Sequence, residues 1–237
     1  MGGTIGRKFW GIGTGRPDID QPLGGGISWG SLVLVEGAHA TGKTVLGQHL
    51  AWDALRQGAA VAYYSAEDPS PSLLSRSAAL GLDMLDYFLL DRLRIYPLRR
   101  DNTAPPQEAL DQLLRHISNL PSEFRLVVVD SLGGVTPRLP RAALAQLLAQ
   151  CLQLCADGRI VALSPAPNPA LRDLLWPLPA DCVWLRLSLA TVTAGKVFRR
   201  LEMAQPGQHP EWLPPSVIFD VEPNLGIRVV PLRQCQA

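Results

Sequence analysis

The sequence predicts an α/β fold: a mostly parallel central sheet flanked by helices, with an antiparallel C-terminal β extension. Three observations predict it. Short apolar runs bounded by glycine alternate with stretches of helical periodicity between Ser31 and Leu163, the pattern of βαβ units. Those runs are continuous rather than alternating, as in strands buried on both faces of a parallel sheet. After about Asp181, strand-like runs follow with no helix between them, which implies antiparallel strands on a sheet edge.

The elements follow in order. Residues 1 to about 14 are Gly-rich and read as a loose lead-in. Gly24-Gly25-Gly26 is a turn. Ser31 to Glu36 is a buried strand, and Thr44 to Gln57 a helix stopped by Gly58. Ala59 to Tyr64 is the second strand. Ser70 to Gly81 is a short helix, with Ser70 or Ser72 available as its cap. Leu93 to Tyr96 is a short strand, and the polar, Pro-rich stretch Arg99 to Pro106 a loop. Leu110, Leu113, Leu114, Ile117 and Leu120 recur at helical spacing until Pro121. Arg125 to Val129 is a third long strand. Leu144 to Cys155 forms an amphipathic helix capped by Gly158, and Ile160 to Leu163 another strand. The tail strands are Cys182 to Leu189, Lys196 to Met203, Ser216 to Val221 and Ile227 to Pro231. The chain reads as one domain over residues 1–237.

Bulk properties exclude several classes. At 237 residues, 47% apolar and 18% charged, the chain can bury a real core. A net charge of +1 is no electrostatic footprint for nucleic acid or an anionic membrane. No apolar run approaches the roughly 20 residues of a membrane span, and the N-terminus has no signal-peptide core. The expectation is a soluble cytoplasmic protein that meets a membrane only through partners. None of the four cysteines forms a C-x-x-C pair, and Cys151 and Cys155 read as core residues on one helix face.

Chemistry concentrates in three places. Gly37-Ala38-His39-Ala40-Thr41-Gly42-Lys43-Thr44 matches G-x-x-x-x-G-K-[ST], between a predicted strand and a predicted helix. Glycines let successive N–H groups curl around a phosphate, and the helix start adds its positive dipole end. Lys43 is expected to reach the β- and γ-phosphates of ATP, and the Thr44 hydroxyl to bind Mg²⁺. His39 sits at a variable position of the loop and reads as a surface or subunit-contact residue. Second, Val127-Val128-Val129-Asp130 has the form of a Walker B strand, whose Asp130 would hold Mg²⁺ mainly through water; Ser131 follows it into the same site. Third, Glu67-Asp68 lies past the second strand, on the sheet edge that carries the phosphates. Glu67 is the candidate to orient or deprotonate an attacking water. Arg199-Arg200 reads as a solvated basic edge, with a trans-acting pair at a neighbour's nucleotide as the other reading.

Leu23-Gly24-Gly25-Gly26-Ile27 and Gly30 to Gly37 resemble the entry to the RecA/KaiC-type ATPases. Thr44-Val45-Leu46, Leu80-Gly81-Leu82-Asp83 and the ending Phe219 to Pro231 resemble one family among them, the archaellum (archaeal flagellum) accessory ATPases FlaH/ArlH. The likeness runs from about Ile12 to Pro231. It implies a RecA-like P-loop NTPase fold and a ring, expected to be a hexamer, with nucleotide near subunit contacts. It also implies docking on the archaellum secretion ATPase FlaI and a membrane platform. By position it makes Lys43 and Thr44 nucleotide residues, Asp130 the Walker B carboxylate and Glu67 the candidate catalytic glutamate.

Two departures matter. Ala40 stands where the family leads one to expect glycine, and a left-handed backbone there would cost on the order of 1 kcal/mol. Ala204-Gln205-Pro206-Gly207 replaces the expected basic Lys-x-Arg-Gly run, whose residues complete a neighbour's γ-phosphate site in ring ATPases. The expectation is therefore a regulatory protein that binds Mg-ATP with weak hydrolysis. The alternatives are an active ATPase or autokinase and a DNA-binding recombinase relative. No aromatic-basic stretch supports the last.

Overall fold

Alternate residues of each apolar run serve opposite faces of one sheet. The computed structural model describes residues 11–98, 105–175, 182–190, 197–204 and 215–230. The loop-bearing strand β3 (Leu32–Gly37) sends Val33 and Val35 to one face and Leu32 and Leu34 to the other. The same split recurs in β4 (Ala60–Ser65) and β6 (Phe124–Asp130). Leu46, Leu50 and Ala54 of helix α2 (Lys43–Arg56) cover the first face. The second is covered by α5 (Pro106–Ser118) and α6 (Arg141–Ala156), through Leu110, Leu114, Ile117, Leu144 and Leu147. Each of these leucines and isoleucines contributes about 1.5–3 kcal/mol on burial.

Completing the strands are β5 (Leu93–Pro97), β7 (Ile160–Leu163), β8 (Cys182–Ala190), β9 (Phe198–Ala204), β10 (Ser216–Glu222) and β11 (Gly226–Val229). Their order is β11-β10-β9-β8-β3-β7-β6-β4-β5. The segment β8-β3-β7-β6-β4-β5 is parallel, and β9, β10 and β11 run antiparallel. The fold is thus the one expected, with a correction to where the antiparallel part begins. Strand β8 pairs in parallel with β3, from Leu32↔Cys182 to Gly37↔Leu187. It belongs to the central sheet, and only the three strands after it form the extension.

Other expectations are corrected. The lead-in is built from Gly11 onward: β1 (Gly11–Ile12) pairs with β2 (Ile27–Ser28), and Ile12 is buried. Helix α1 (Pro17–Asp20) follows β1, and Asp20 accepts hydrogen bonds from the Thr14 N–H and hydroxyl. Neither Ser70 nor Ser72 caps α3 (Ser70–Ala79). Pro69 holds that position in extended backbone, and the Ser72 hydroxyl donates to Asp68 instead. Like α1, the short helices α4 (Leu85–Leu89) and α7 (Pro169–Leu175) lie where no helix was expected. The expected loop lies outside the described residues from Arg99 to Ala104, and Pro106 at its end opens α5 instead. Lys196 of the second tail strand, Pro231 of the last, and Gln205 to Gly207 of the departing run also lie outside the described residues.

The topology sets Gly37, Ser65 and Asp130 at the carboxyl ends of three parallel strands on one sheet edge, and Ser65 pairs directly with Asp130. That edge is where open α/β sheets bind ligands.

Candidate nucleotide site

Gly37 closes β3, and no larger residue fits there. A Cβ would stand 2.5 Å from Thr41 Oγ1 and 2.7 Å from the Leu187 carbonyl. The chain then turns through Ala40 at φ +63° and Gly42 at φ +100°, both left-handed. Ala40 therefore holds the conformation that the glycine expected there would hold without strain. The Thr41 hydroxyl braces the turn by donating to the Ala38 carbonyl at 2.9 Å. Lys43 Nζ donates to the carbonyls of Gly37 and Ala38 at 2.8 and 2.7 Å, which places its ammonium across the loop.

Asp130 ends β6 and is 7% exposed. It accepts from the Thr44 hydroxyl and, at 3.0 Å, from the Tyr63 hydroxyl. Burial raises its pKa above the usual carboxylate range, and these hydrogen bonds and the Lys43 charge oppose the rise. Burial lowers the pKa of Lys43, with Asp130 and then Glu67 acting against it. The three charged groups thus sense one another across a single cleft. Gly37, Ala38, His39, Lys43, Glu67 and Ser131 line it.

Glu67 and Asp68 part company. Glu67 is exposed within the cleft. Asp68 turns to α3, accepting from Ser72 at 3.2 Å and pairing with Arg76 at 2.9 Å. Of the two, Glu67 alone is placed to act on a ligand of the cleft.

Other neighbours were not legible in the sequence. Tyr63 is fully buried, and burial lifts its phenol far above its ordinary pKa, so it donates to Asp130. It fits because Gly47 on α2 carries no side chain: a Cβ there would stand 3.1 Å from the Tyr63 hydroxyl. A glycine inside a good helix costs about 1 kcal/mol and was the available signal. Arg199 corrects the expectation of a solvated edge. It lies on β9 with its Cδ 3.3 Å from where a Cβ on Gly42 would stand, and it pairs with Asp220 at 3.6 Å. Its Nε is buried without a hydrogen-bond partner among the described residues. Arg200 is the solvated member, 46% exposed and 3.8 Å from Glu202.

The donor set fits a nucleotide with Mg²⁺. Gly37 and Gly42 make a backbone cradle that a Cβ would fill, and the Thr44 hydroxyl touches the Asp130 carboxylate. Mg²⁺ takes such hard oxygens, few from the protein and the rest from phosphate and water. No group of three or more His, Cys, Asp or Glu among the described residues could hold a metal ion by itself. Nor is any helix among them long and apolar enough to cross a membrane.

The chain is 27% identical over 233 residues to the archaeal flagellar ATP-binding protein FlaH of Sulfolobus acidocaldarius, covering 95% of this chain and 99% of that one. It is 24% identical to FlaH of Methanocaldococcus jannaschii, over 90% of this chain and 92% of the relative. A crystal structure of the flagellar accessory protein FlaH from Methanocaldococcus jannaschii superposes with a TM-score of 0.74 at 23% identity, covering 94% of this chain and all of that one. A KaiC-like protein from Pyrococcus horikoshii superposes at 0.69 and 19% identity, over 93% and 98% of the two chains. The model of the KaiC ATPase family matches residues 12–162, from the buried Ile12 through the P-loop and Asp130 to β7. That match spans more than half of the 237 residues, and the chain belongs to the KaiC family of ATPases.

Proposed function

We propose that this chain is an ATP-binding accessory component of an archaellum-type motor. The carrying observation is the length of the match: 95% of this chain aligns with 99% of a flagellar ATP-binding protein. In this reading residues 1–237 act as one ATP-binding unit. Gly37 to Thr44 hold the phosphates of ATP, with Lys43 on the β- and γ-phosphates. Thr44 and Asp130 hold Mg²⁺, Asp130 mainly through water. The chain assembles into a hexameric ring and docks on an archaellum-type secretion ATPase, FlaI, and its membrane platform. Any membrane contact runs through those partners.

Binding matters more than turnover here. Ala40 adopts φ +63° at an energetic cost that glycine avoids. The basic run expected to complete a neighbour's site is replaced by Ala204 to Gly207. An arginine finger contributes on the order of 10³-fold or more in rate, so the replacement of that run favours a site that holds ATP and turns it over slowly. The test is a pair of measurements on the purified chain. Fluorescent ATP analogue should bind in the presence of Mg²⁺, while phosphate release stays near background. Failure to bind would overturn the reading.

A second reading, an active ATPase or autokinase, is favoured by one observation: Glu67 stands exposed in the cleft that Lys43 lines. There its carboxylate would accept the proton of an attacking water. Robust turnover that Glu67→Gln abolishes would select it over the first.

A further inference from the structure

A cavity of about 560 Å³ opens beside the nucleotide cleft, which holds about 340 Å³. Its size falls in the range of small-molecule sites. Tyr64 and Tyr96, near the ends of β4 and β5, stack with ring centroids 5.0 Å apart. His116 of α5 stands edge-on to both, at 5.6 and 4.7 Å, and shares a 2.6 Å hydrogen bond with the Tyr64 hydroxyl. Leu113 adds an apolar wall. Opposite lies the segment after Asp130, ending at Arg138. That guanidinium is fixed by two hydrogen bonds from its Nε and Nη2 to the Gly134 carbonyl, at 3.1 and 2.8 Å. No carboxylate among the described residues pairs with it.

We propose that this cavity is a second ligand site, for a small molecule with a flat aromatic body and one anionic group. The ring cluster supplies faces and edges for an aromatic body. Arg138 supplies a positioned fork of donors for a carboxylate, sulfonate or phosphate. The site reports to the nucleotide cleft because Ser131 and Gly134 line both. A ligand that fixes that shared wall in one arrangement changes affinity on the other side, and the effect is reciprocal. This coupling rests on the nucleotide binding proposed above; the site itself does not.

Two near-isosteric dyes test it on the full chain. One is the anion 8-anilinonaphthalene-1-sulfonate; the other is neutral N-phenyl-1-naphthylamine. The nucleotide-free chain should bind the anion saturably, at one site per chain. Arg138→Gln should weaken the anion roughly fivefold and leave the neutral dye unchanged. Ala109→Trp, which fills the cavity from α5, should weaken both roughly tenfold. Circular dichroism of both variants confirms the fold, and the exposed Arg138 keeps the test open if Ala109→Trp misfolds. Saturating Mg-ATP should shift the affinity for the anion about fivefold. Equal binding of both dyes, unmoved by Arg138→Gln, overturns the anionic ligand and favours an apolar side chain of a partner as occupant. Binding that survives Ala109→Trp in a folded variant places the dye elsewhere and overturns the site. Dye binding in a chain that takes no nucleotide sinks the function and keeps the site. Nucleotide binding in a chain that binds neither dye does the reverse, and dye binding that Mg-ATP leaves unmoved overturns the coupling.

Discussion

Ala40 carries the sharpest prediction at the residue scale. Its φ of +63° is left-handed, and its side chain is exposed, so glycine there would lose no packing. Left-handed backbone costs a residue with a Cβ about 1–2 kcal/mol, and the extra unfolded-state freedom of glycine returns part of it. Ala40→Gly should therefore stabilise the chain by about 0.5–1 kcal/mol in urea unfolding. A loss of stability would mean that the loop does not hold this conformation in solution. In the proposed function Lys43 and Asp130 divide the ligand between them. Lys43→Ala removes a charge-assisted contact to phosphate and should weaken ATP roughly 100-fold, with or without Mg²⁺. Asp130→Asn should weaken Mg-ATP while leaving metal-free ATP nearly unchanged, because in that reading its carboxylate holds the metal, mainly through water. Titrations of a fluorescent analogue with Mg²⁺ and with EDTA separate the two. Equal effects of Asp130→Asn in both would remove it from the metal site.

One side chain joins two elements and the loop before α1. His49 of α2 donates from Nδ1 to the Thr14 carbonyl at 2.9 Å and accepts at Nε2 from the Ile227 N–H at 3.0 Å. The second bond needs the neutral ring, with its proton on Nδ1. Burial, opposed by the Thr14 carbonyl, lowers its pKa below 6.5. The unfolded chain then binds this proton at higher pH than the folded one does. The stabilisation is fully present above about pH 6.5 and is lost as pH falls below it, towards the folded pKa. Urea unfolding at pH 7.5 and 5.5 should show that loss in the natural chain. His49→Gln should be less stable at pH 7.5 by about 1–3 kcal/mol and should lack this slope. An unchanged slope would assign the acid sensitivity to other groups. Legibility in the sequence followed the same division by element. Strand β3, the loop and α2 were readable because motif spacing and context agree. The direction of β8 was not, since a strand looks alike whichever way it runs. Helix α4 has five residues, too few to show a period. Glu67 was legible from its strand end. Arg199 was not, because its place beside Gly42 depends on β9 following β8 and β3 across the sheet.

At the scale of the whole molecule, the nucleotide cleft sits on the sheet edge, lined by Glu67 and by the segments after β6 and β7. If a neighbouring copy closes it, nucleotide and assembly are linked, because whatever binds the assembled state better shifts the equilibrium towards it. The proposed ring then makes one quantitative demand. Light scattering of the natural chain should show the mean mass rising with Mg-ATP at fixed protein concentration, and Lys43→Ala should not respond. Glu67→Gln should assemble as the natural chain does or better, since it leaves the phosphate cradle intact and removes only the base of the second reading. A mass unaffected by nucleotide at every concentration would separate ATP binding from assembly and count against the ring. Assembly that Glu67→Gln prevents would show that turnover, not occupancy, drives it, and the active-ATPase reading would then describe the molecule better.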